Sequence, residues 1–534
     1  MKLTFLGADH EVTGSCHYLK VGQTHVLIDC GMEQVYENQE LPIAASDVDC
    51  ILLTHAHIDH SGLIPLMYVN GFRGQVYSTS ATAQLCEIML RDSAHIQMFE
   101  AEWRNRKAAR SGGKLKEFVP LYDMDAAVNV CKQFVGCEYD RVYDIAEGIK
   151  IRFTDVGHLL GSASIEVWAT EKTENGDVTE KIVFSGDIGN INKPIIKDPK
   201  HVRDADYVVM ESTYGNRSHG GTPNYVEDLT DIFKRTFERG GNVVIPSFAV
   251  GRTQELLYII RKIKEDNLVG RDFDVYMDSP LAIEATNIFI KNVESCFDDD
   301  AVELVRKGIN PLSFPGLKYA TTGDESKQIN FDPNPKVIIS SSGMCEAGRI
   351  RHHLKHNLWR PECTIVFVGY QAVGTTGRII VDGAEEIKLF GEPIQIKAEI
   401  VQLKGSSGHA DKDGLLCWIN AFDTKPKKVF VVHGEDSVCD EFTECLKEEY
   451  GYDAMAPYTG GSYDLIADRV ISEGVKERKT RRTTSTQRGK TVFDRLVAAG
   501  KRLMTVITHN EGGTNKDLAK FTDQINALCD KWDR

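Results

Sequence analysis

The stretch ILLTHAHIDHSGLIP, from Ile51 to Pro65, constrains this chain more than any other. An apolar run ends in His55, His57, Asp59 and His60, all within six positions. Packing gives no reason to crowd three imidazoles and a carboxylate against a core strand, because buried ionisable groups need partners or metals. A helix would scatter them around its circumference. In a loop where the backbone changes direction at each residue, His55 and His57 can face one cation while Asp59 and His60 face a second. Imidazole and carboxylate donors suit zinc and also accept manganese or iron. Four residues do not complete two sites, so the fold must bring further donors from elsewhere.

At 534 residues the chain exceeds what one hydrophobic core supports, and more than one domain is expected. No apolar run approaches the ~20 residues of a membrane helix. The start, MKLTFLGADHEVTG, lacks the apolar region of a secretory signal. Thirteen scattered cysteines without a CxxC pair suit a reducing cytoplasm, where the protein is expected. The net charge of −15 argues against binding nucleic acid through overall charge, but leaves open a local groove whose field bound cations reverse.

Over the first two hundred residues, short strands such as KLTFLGA, THVLIDCG, CILLTH, KIRFTDV and KIVFSGD alternate with glycine turns, around a long helix expected from Ala81 to Ala109. From about Thr213 the rhythm changes. Helices expected near Tyr225–Arg239 and Thr253–Lys264 alternate with the continuous apolar runs GNVVIPSFA, FDVYMDS, KVIISSS and CTIVFVGY, the pattern of a parallel, doubly wound sheet. After about Lys397 the first rhythm is read to resume with AEIVQL, a helix near Lys412–Asn420 and KKVFVVHG. This is an α/β fold with one domain interrupting another: residues 1–210 and 396–470 form the outer domain and 211–395 the insertion. Residues 471–490 are read as a basic linker and 491–534 as a helical extension, with helices near Val492–Ile507 and Lys516–Trp532. Those two helices are expected either to dock on the core or to associate two copies into a homodimer. The linker residues Lys479, Arg481, Arg482, Arg488 and Lys490 suit RNA phosphates or a solvated tether.

Beyond HxHxDH, the strands in TDVGHLLGSAS, FSGDIG and VVHGE each end in a polar tip followed by glycine or a turn. With these motifs, residues 1 to 470 resemble the metallo-β-lactamase superfamily, and specifically its β-CASP nucleases. The resemblance implies an αββα sandwich interrupted by a β-CASP domain. It places His55, His57 and His158 on a first ion and Asp59, His60 and His433 on a second, with Asp187 bridging two zinc ions. It also implies that Asp29, in LIDCG, supports the ligands from behind.

Two ions about 3.5–4 Å apart can share a hydroxide and neutralise phosphodiester oxygens in the transition state. The leaving alkoxide needs a proton. The motifs ESTYG and SGHAD match those whose Glu and His form a dyad in the family, so Glu211 and His409 are expected to supply it, with Asp59 completing the catalytic set. A carboxylate beside a histidine favours imidazolium. In the RNA-cleaving branch the last ligand is His, as at His433, which points to RNA rather than DNA. The implied function is hydrolysis of RNA phosphodiesters to a 5′-phosphate and a 3′-hydroxyl. The alternatives are a catalytically silent RNA-binding scaffold and a small-molecule metallo-hydrolase on the same frame.

Three more loops suit phosphate. They are Arg252 in PSFAVGRTQELL, Ser341, Ser342 and Gly343 in SSSGMCEAGRI, and Arg378 in GYQAVGTTGR. All follow expected parallel strands, where doubly wound sheets place ligands, and all match β-CASP motifs. The cluster HHLKH (His352, His353, His356) is read as helix surface, and His17 as structural.

Overall fold

A computed structural model describes residues 1–33, 41, 43–110, 118–220, 224–403, 407–476 and, discontinuously, 497–532. The linker residues named above lie outside the described residues, as does most of the first helix expected after them. The second expected helix is present as Asn515–Trp532.

Two sheets lie face to face. The first has eight strands in the order Arg469–Ser472, Ser462–Asp464, Lys2–Gly7, Cys16–Val21, Thr24–Ile28, Cys50–Leu52, Gln75–Thr79, Phe134–Cys137. The second has seven, in the order Ala454–Met455, Lys428–Val432, Tyr207–Glu211, Gly176–Phe184, Ala163–Thr173, Ile149–Asp155, Val142–Ala146. Side chains alternate across each strand, so a strand covered on both faces must be apolar throughout. Val26 and Ile28 accordingly enter the core between the sheets with Phe153, Ile165, Phe184 and Phe430. Leu27 and Ile51 face outward under the long helix Ser80–Arg110. Val208, Met210, Val429 and Val431 pack against the helices Lys412–Ile419 and Asp436–Glu448 on the far side. This is the helix–sheet–sheet–helix layering of the metallo-β-lactamase fold.

The insertion is a third, wholly parallel sheet of six strands. Its order is Leu317–Tyr319, Asp274–Asp278, Lys336–Ser340, Val243–Pro246, Thr364–Phe367, Glu399–Gln402. Helices cover both faces, as a doubly wound sheet requires. The segment AEIVQL does not return to the outer domain. Its strand Glu399–Gln402 pairs with Thr364–Phe367, so the inserted sheet runs past residue 395. Apolar alternation identifies a strand, but only pairing decides which sheet it joins.

A second correction concerns HHLKH. On the helix Ile350–Asn357, His352 and His356 are exposed, whereas His353 is fully buried. Its Nε2 donates to Asp278 Oδ2 at 2.6 Å, and its Nδ1 lies 2.9 Å from Asn330 Oδ1. The helix rotates its fourth residue, His353, toward the sheet, and the carboxylate at the strand tip supplies the partner that burial demands.

One backbone contact positions the HxHxDH segment. Ser15 N donates to Asp59 O at 2.8 Å and Cys30 N to His60 O at 2.7 Å, which presses residues 58–60 onto Gly31. A Cβ at Gly31 would stand 1.7 Å from Asp59 O and 2.7 Å from Ser15 N. Gly31→Ala should therefore displace Asp59 and His60, destabilise the protein by about 1–3 kcal/mol and lower its metal content. Gly323→Ala, where nothing lies within 4 Å, should change neither. Thermal unfolding and elemental analysis of the two variants check this.

Candidate metal centre

The site assembles where strands of both sheets end. Asp29 follows Thr24–Ile28, and His55 and His57 follow the parallel neighbour Cys50–Leu52. In the second sheet the parallel strands Gly176–Phe184, Tyr207–Glu211 and Lys428–Val432 deliver Asp187, Glu211 and His433 to one edge. His158 comes from the turn between Ile149–Asp155 and Ala163–Thr173. Asp59 and His60 depart from the expected loop: they sit on a single helical turn, Ile58–Ser61, entered from His57. The turn lets adjacent side chains diverge from the pair that precedes it.

These residues form two groups around one carboxylate. His55 Nε2 lies 3.0 Å from His57 Nδ1, which lies 3.3 Å from His158 Nε2. Asp187 Oδ2 faces this group, 3.3 Å from His55 Nε2 and 3.5 Å from His158 Nε2. Asp187 Oδ1 faces the other, 3.2 Å from His60 Nε2 and 3.7 Å from His433 Nε2. Asp59 Oδ2 lies 3.8 Å from His433 Nε2. In each group the candidate ligand atoms all fall within 4.8 Å of one another.

The donor set fits a pair of cations. Asp187 is only 2% exposed, yet among the described residues no well-formed hydrogen bond reaches its Oδ1, which faces only imidazole nitrogens. Burial lowers the pKa of His55, takes His57 down to about 3 and lowers His158 well below the usual range, so these rings offer lone pairs. Burial acts against charge on His60 and His433 too, but Asp187 outweighs it with Asp29 and Asp59 respectively, and both are raised. Burial also opposes ionisation of Asp187, and the surrounding imidazoles overcome it, so the carboxylate is charged.

An outer layer orients the rings. His60 Nδ1 donates to Asp29 Oδ2 at 2.7 Å, which turns Nε2 toward Asp187. Asp29 also accepts from Thr54 N at 2.9 Å, from Thr54 Oγ1 and from Ser15 Oγ. His55 Nδ1 lies 3.1 Å from Thr54 Oγ1, His158 Nδ1 donates to Gly408 O at 3.2 Å, and His433 Nδ1 lies 3.1 Å from Thr213 Oγ1.

At the rim stands a His–Glu pair. His409 Nδ1 lies 3.1 and 3.2 Å from the two oxygens of buried Glu211, which also accepts from Ile188 N at 2.6 Å. His409 Nε2 then points inward, 3.9 Å from Asp187 Oδ2. Burial pulls the His409 pKa down, but Glu211 and Asp187 together lift it to about 9. That shift favours the imidazolium at neutral pH, and Nε2 is aimed over the cluster.

Beside the rim, a cavity of about 550 Å³ starts at Ile188 and Gly189 and runs between the outer domain and the helix Arg252–Glu265. Of the five expected phosphate contacts, only Arg252 lines it, ion-paired there to Glu255. Ser341 Oγ donates to Ser279 Oγ and Ser342 Oγ to Ala347 O, within the inserted domain. Gly343 packs on Phe248, and Arg378 pairs with Asp382 one turn along its own helix. Sequence reading missed Lys193, which donates to His158 O at 2.9 Å and pairs with Glu255 at 3.4 Å, as well as the orienting residues Ser15, Thr54 and Thr213. Thr54 adjoins the motif and was legible as its flank. Lys193 carries no local signal, because its partners are remote in sequence.

Comparison with known proteins agrees with this frame. Residues 11–68 match the metallo-beta-lactamase superfamily, 253–380 the Beta-Casp domain, and 393–457 the Zn-dependent metallo-hydrolase RNA specificity domain. A ribonuclease of Thermus thermophilus is 34% identical over 440 residues, which cover 82% of this chain and 94% of that protein. The transcription termination factor FttA of Methanosarcina mazei is 32% identical over 475 residues, covering 85% of this chain and 70% of that one. FttA of Methanocaldococcus jannaschii is 30% identical, covering 86% and 70%.

Because Asp187 offers one carboxylate oxygen to each group, Asp187→Ala should lose most of the bound metal, as measured by elemental analysis of the purified protein. Full wild-type content would remove Asp187 from its place between the groups.

Proposed function

This chain belongs to the β-CASP branch of the metallo-β-lactamase superfamily, and from that premise we propose that it is a zinc-dependent ribonuclease that leaves 5′-phosphate and 3′-hydroxyl ends. The observation that carries the reading is the division of Asp187 between two donor groups, with the imidazolium of His409 directed over them. The choice of RNA rests on the RNA-specificity match over residues 393–457, which include His409 and His433, and on the ribonuclease relative.

His55, His57 and His158 would hold one zinc ion, Asp59, His60 and His433 the other, and Asp187 both. When bound, such a pair lowers the pKa of the water between them and neutralises non-bridging phosphate oxygens. The residues around it divide the remaining work. Asp29, Thr54, Thr213 and the carbonyl of Gly408 hold the imidazole rings in one tautomer and orientation. Glu211, anchored by Ile188 N, keeps His409 protonated and fixes its Nδ1. His409 Nε2 gives its proton to the departing 3′ oxygen, whose expulsion as a free alkoxide would otherwise limit the rate. Lys193 and Arg252 line the adjoining cavity with positive charge suited to a neighbouring backbone phosphate.

Removing metal with a chelator should abolish cleavage, and zinc should restore it. End-mapping of the products should show 5′-phosphates. His409→Ala should keep its metal while kcat falls about 10²–10⁴-fold; loss of metal in that variant would contradict a proton-donor role. For a general acid, activity is present below its pKa and lost as pH rises through it. Glu211→Gln removes a group that raises His409, so the alkaline limb of kcat/KM should move to lower pH while the acid limb stays. An unmoved alkaline limb would disconnect the dyad from the reaction.

A further inference from the structure

We propose that Phe248 and Tyr370 form a stacking platform for unpaired bases of single-stranded RNA, on the carboxyl edge of the inserted sheet. The inference rests on the ribonuclease reading and adds how the strand is held.

Phe248 follows the strand Val243–Pro246, and Tyr370 follows Thr364–Phe367. These strands are parallel neighbours, so both residues emerge at the same edge. That edge faces the metal-bearing domain. A Cβ at Gly251 would lie 3.1 Å from Leu159 Cδ1, one residue beyond His158, and Lys193 joins His158 O to Glu255 just beyond. An RNA strand that lowers a phosphate toward Asp187 carries its bases on the other side of its backbone, toward this roof.

Phe248 is 45% exposed and Tyr370 51%. A single exposed aromatic is ordinary. These two differ in how rigidly their loops are held. Gln371 Nε2 donates to the carbonyls of Gly343, Gly369 and Tyr370 at 3.1–3.3 Å. Ser247 N donates to Ser340 O, and Thr253 Oγ1 donates to Phe248 O at 2.7 Å. The Phe248 ring lies against bare glycine backbone: a Cβ at Gly343 would meet its Cδ2 at 3.2 Å, and one at Gly369 its Cε2 at 3.9 Å. One side of the ring is thus supported by two hydrogen-bonded loops while the rest stays open to solvent. Every nucleobase has a π-face, so such a surface accepts any unpaired base without reading its identity.

The test measures binding apart from cleavage. In the full-length His409→Ala protein, in which cleavage should be slowed about 10²–10⁴-fold, affinity is measured before the strand turns over, for an unstructured oligoribonucleotide of about 12 nucleotides and for the same strand with one abasic position moved along it. Phe248→Leu, which keeps apolar bulk without a π-face, should weaken binding about ten-fold, and Phe248→Trp should restore it. Tyr370→Leu should behave like Phe248→Leu. The abasic position that weakens the parent should cost the Leu variant nothing further, because ring and base are two halves of one contact. Leu variants that bind like the parent, or abasic and Leu losses that simply add, overturn the platform. RNA that binds with this coupling but is never cut by the wild-type protein would instead sink the ribonuclease reading and leave the platform standing.

Discussion

The carboxylate of Asp187 is the charge around which this molecule is organised. It is buried where sheet, turn and helix converge, and an uncompensated ion there would cost several kcal/mol. Imidazoles stand on both sides, His55 and His158 at one oxygen and His60 and His433 at the other, and the raised His60, His433 and His409 supply the positive charge that compensates it. No contiguous stretch of chain could supply that shell. The sandwich exists in part to bring the tips of strands from two sheets to a single point.

Holding the shell in place requires backbone that ordinary residues avoid. Asp29 has φ +60° and His433 φ +51°, both in the left-handed region. Local strain of this kind is tolerated where surrounding bonds over-determine the conformation. Asp29 is fixed through Thr54, Ser15 and His60, and His433 through Ala8 O, which accepts its N–H at 2.7 Å. The same logic explains Gly31, whose missing side chain admits the carbonyl of Asp59.

Among the described residues, the inserted domain contributes none to the two donor groups. Its role is enclosure. The helix Arg252–Glu265 closes a cavity against the loop after Asp187, and Lys193 ties that helix to the carbonyl of His158. In the function proposed above, the scissile bond and the rest of a polymeric substrate would be served by different domains, one supplying ligands and proton transfer, the other a surface.

Local patterns carried most of the architecture. The apolar runs ending in polar tips at His55, Asp187 and His433 announced strands, and the run HAHIDH announced candidate donors, because few other environments tolerate such a cluster. The change to continuous apolar strands after Thr213 announced the doubly wound insertion. Local pattern was blind to partnership. It assigned AEIVQL to the wrong sheet, placed His353 on the surface and could not see Lys193 beneath His158. Which oxygen of Asp187 faces which group, and that Glu211 meets His409 across 198 positions, are matters of distance between remote segments. Side-chain type and spacing thus determined what chemistry this chain could support. Only the tertiary structure decided which groups meet, since strand pairing and burial bring together residues whose neighbours in sequence say nothing of each other.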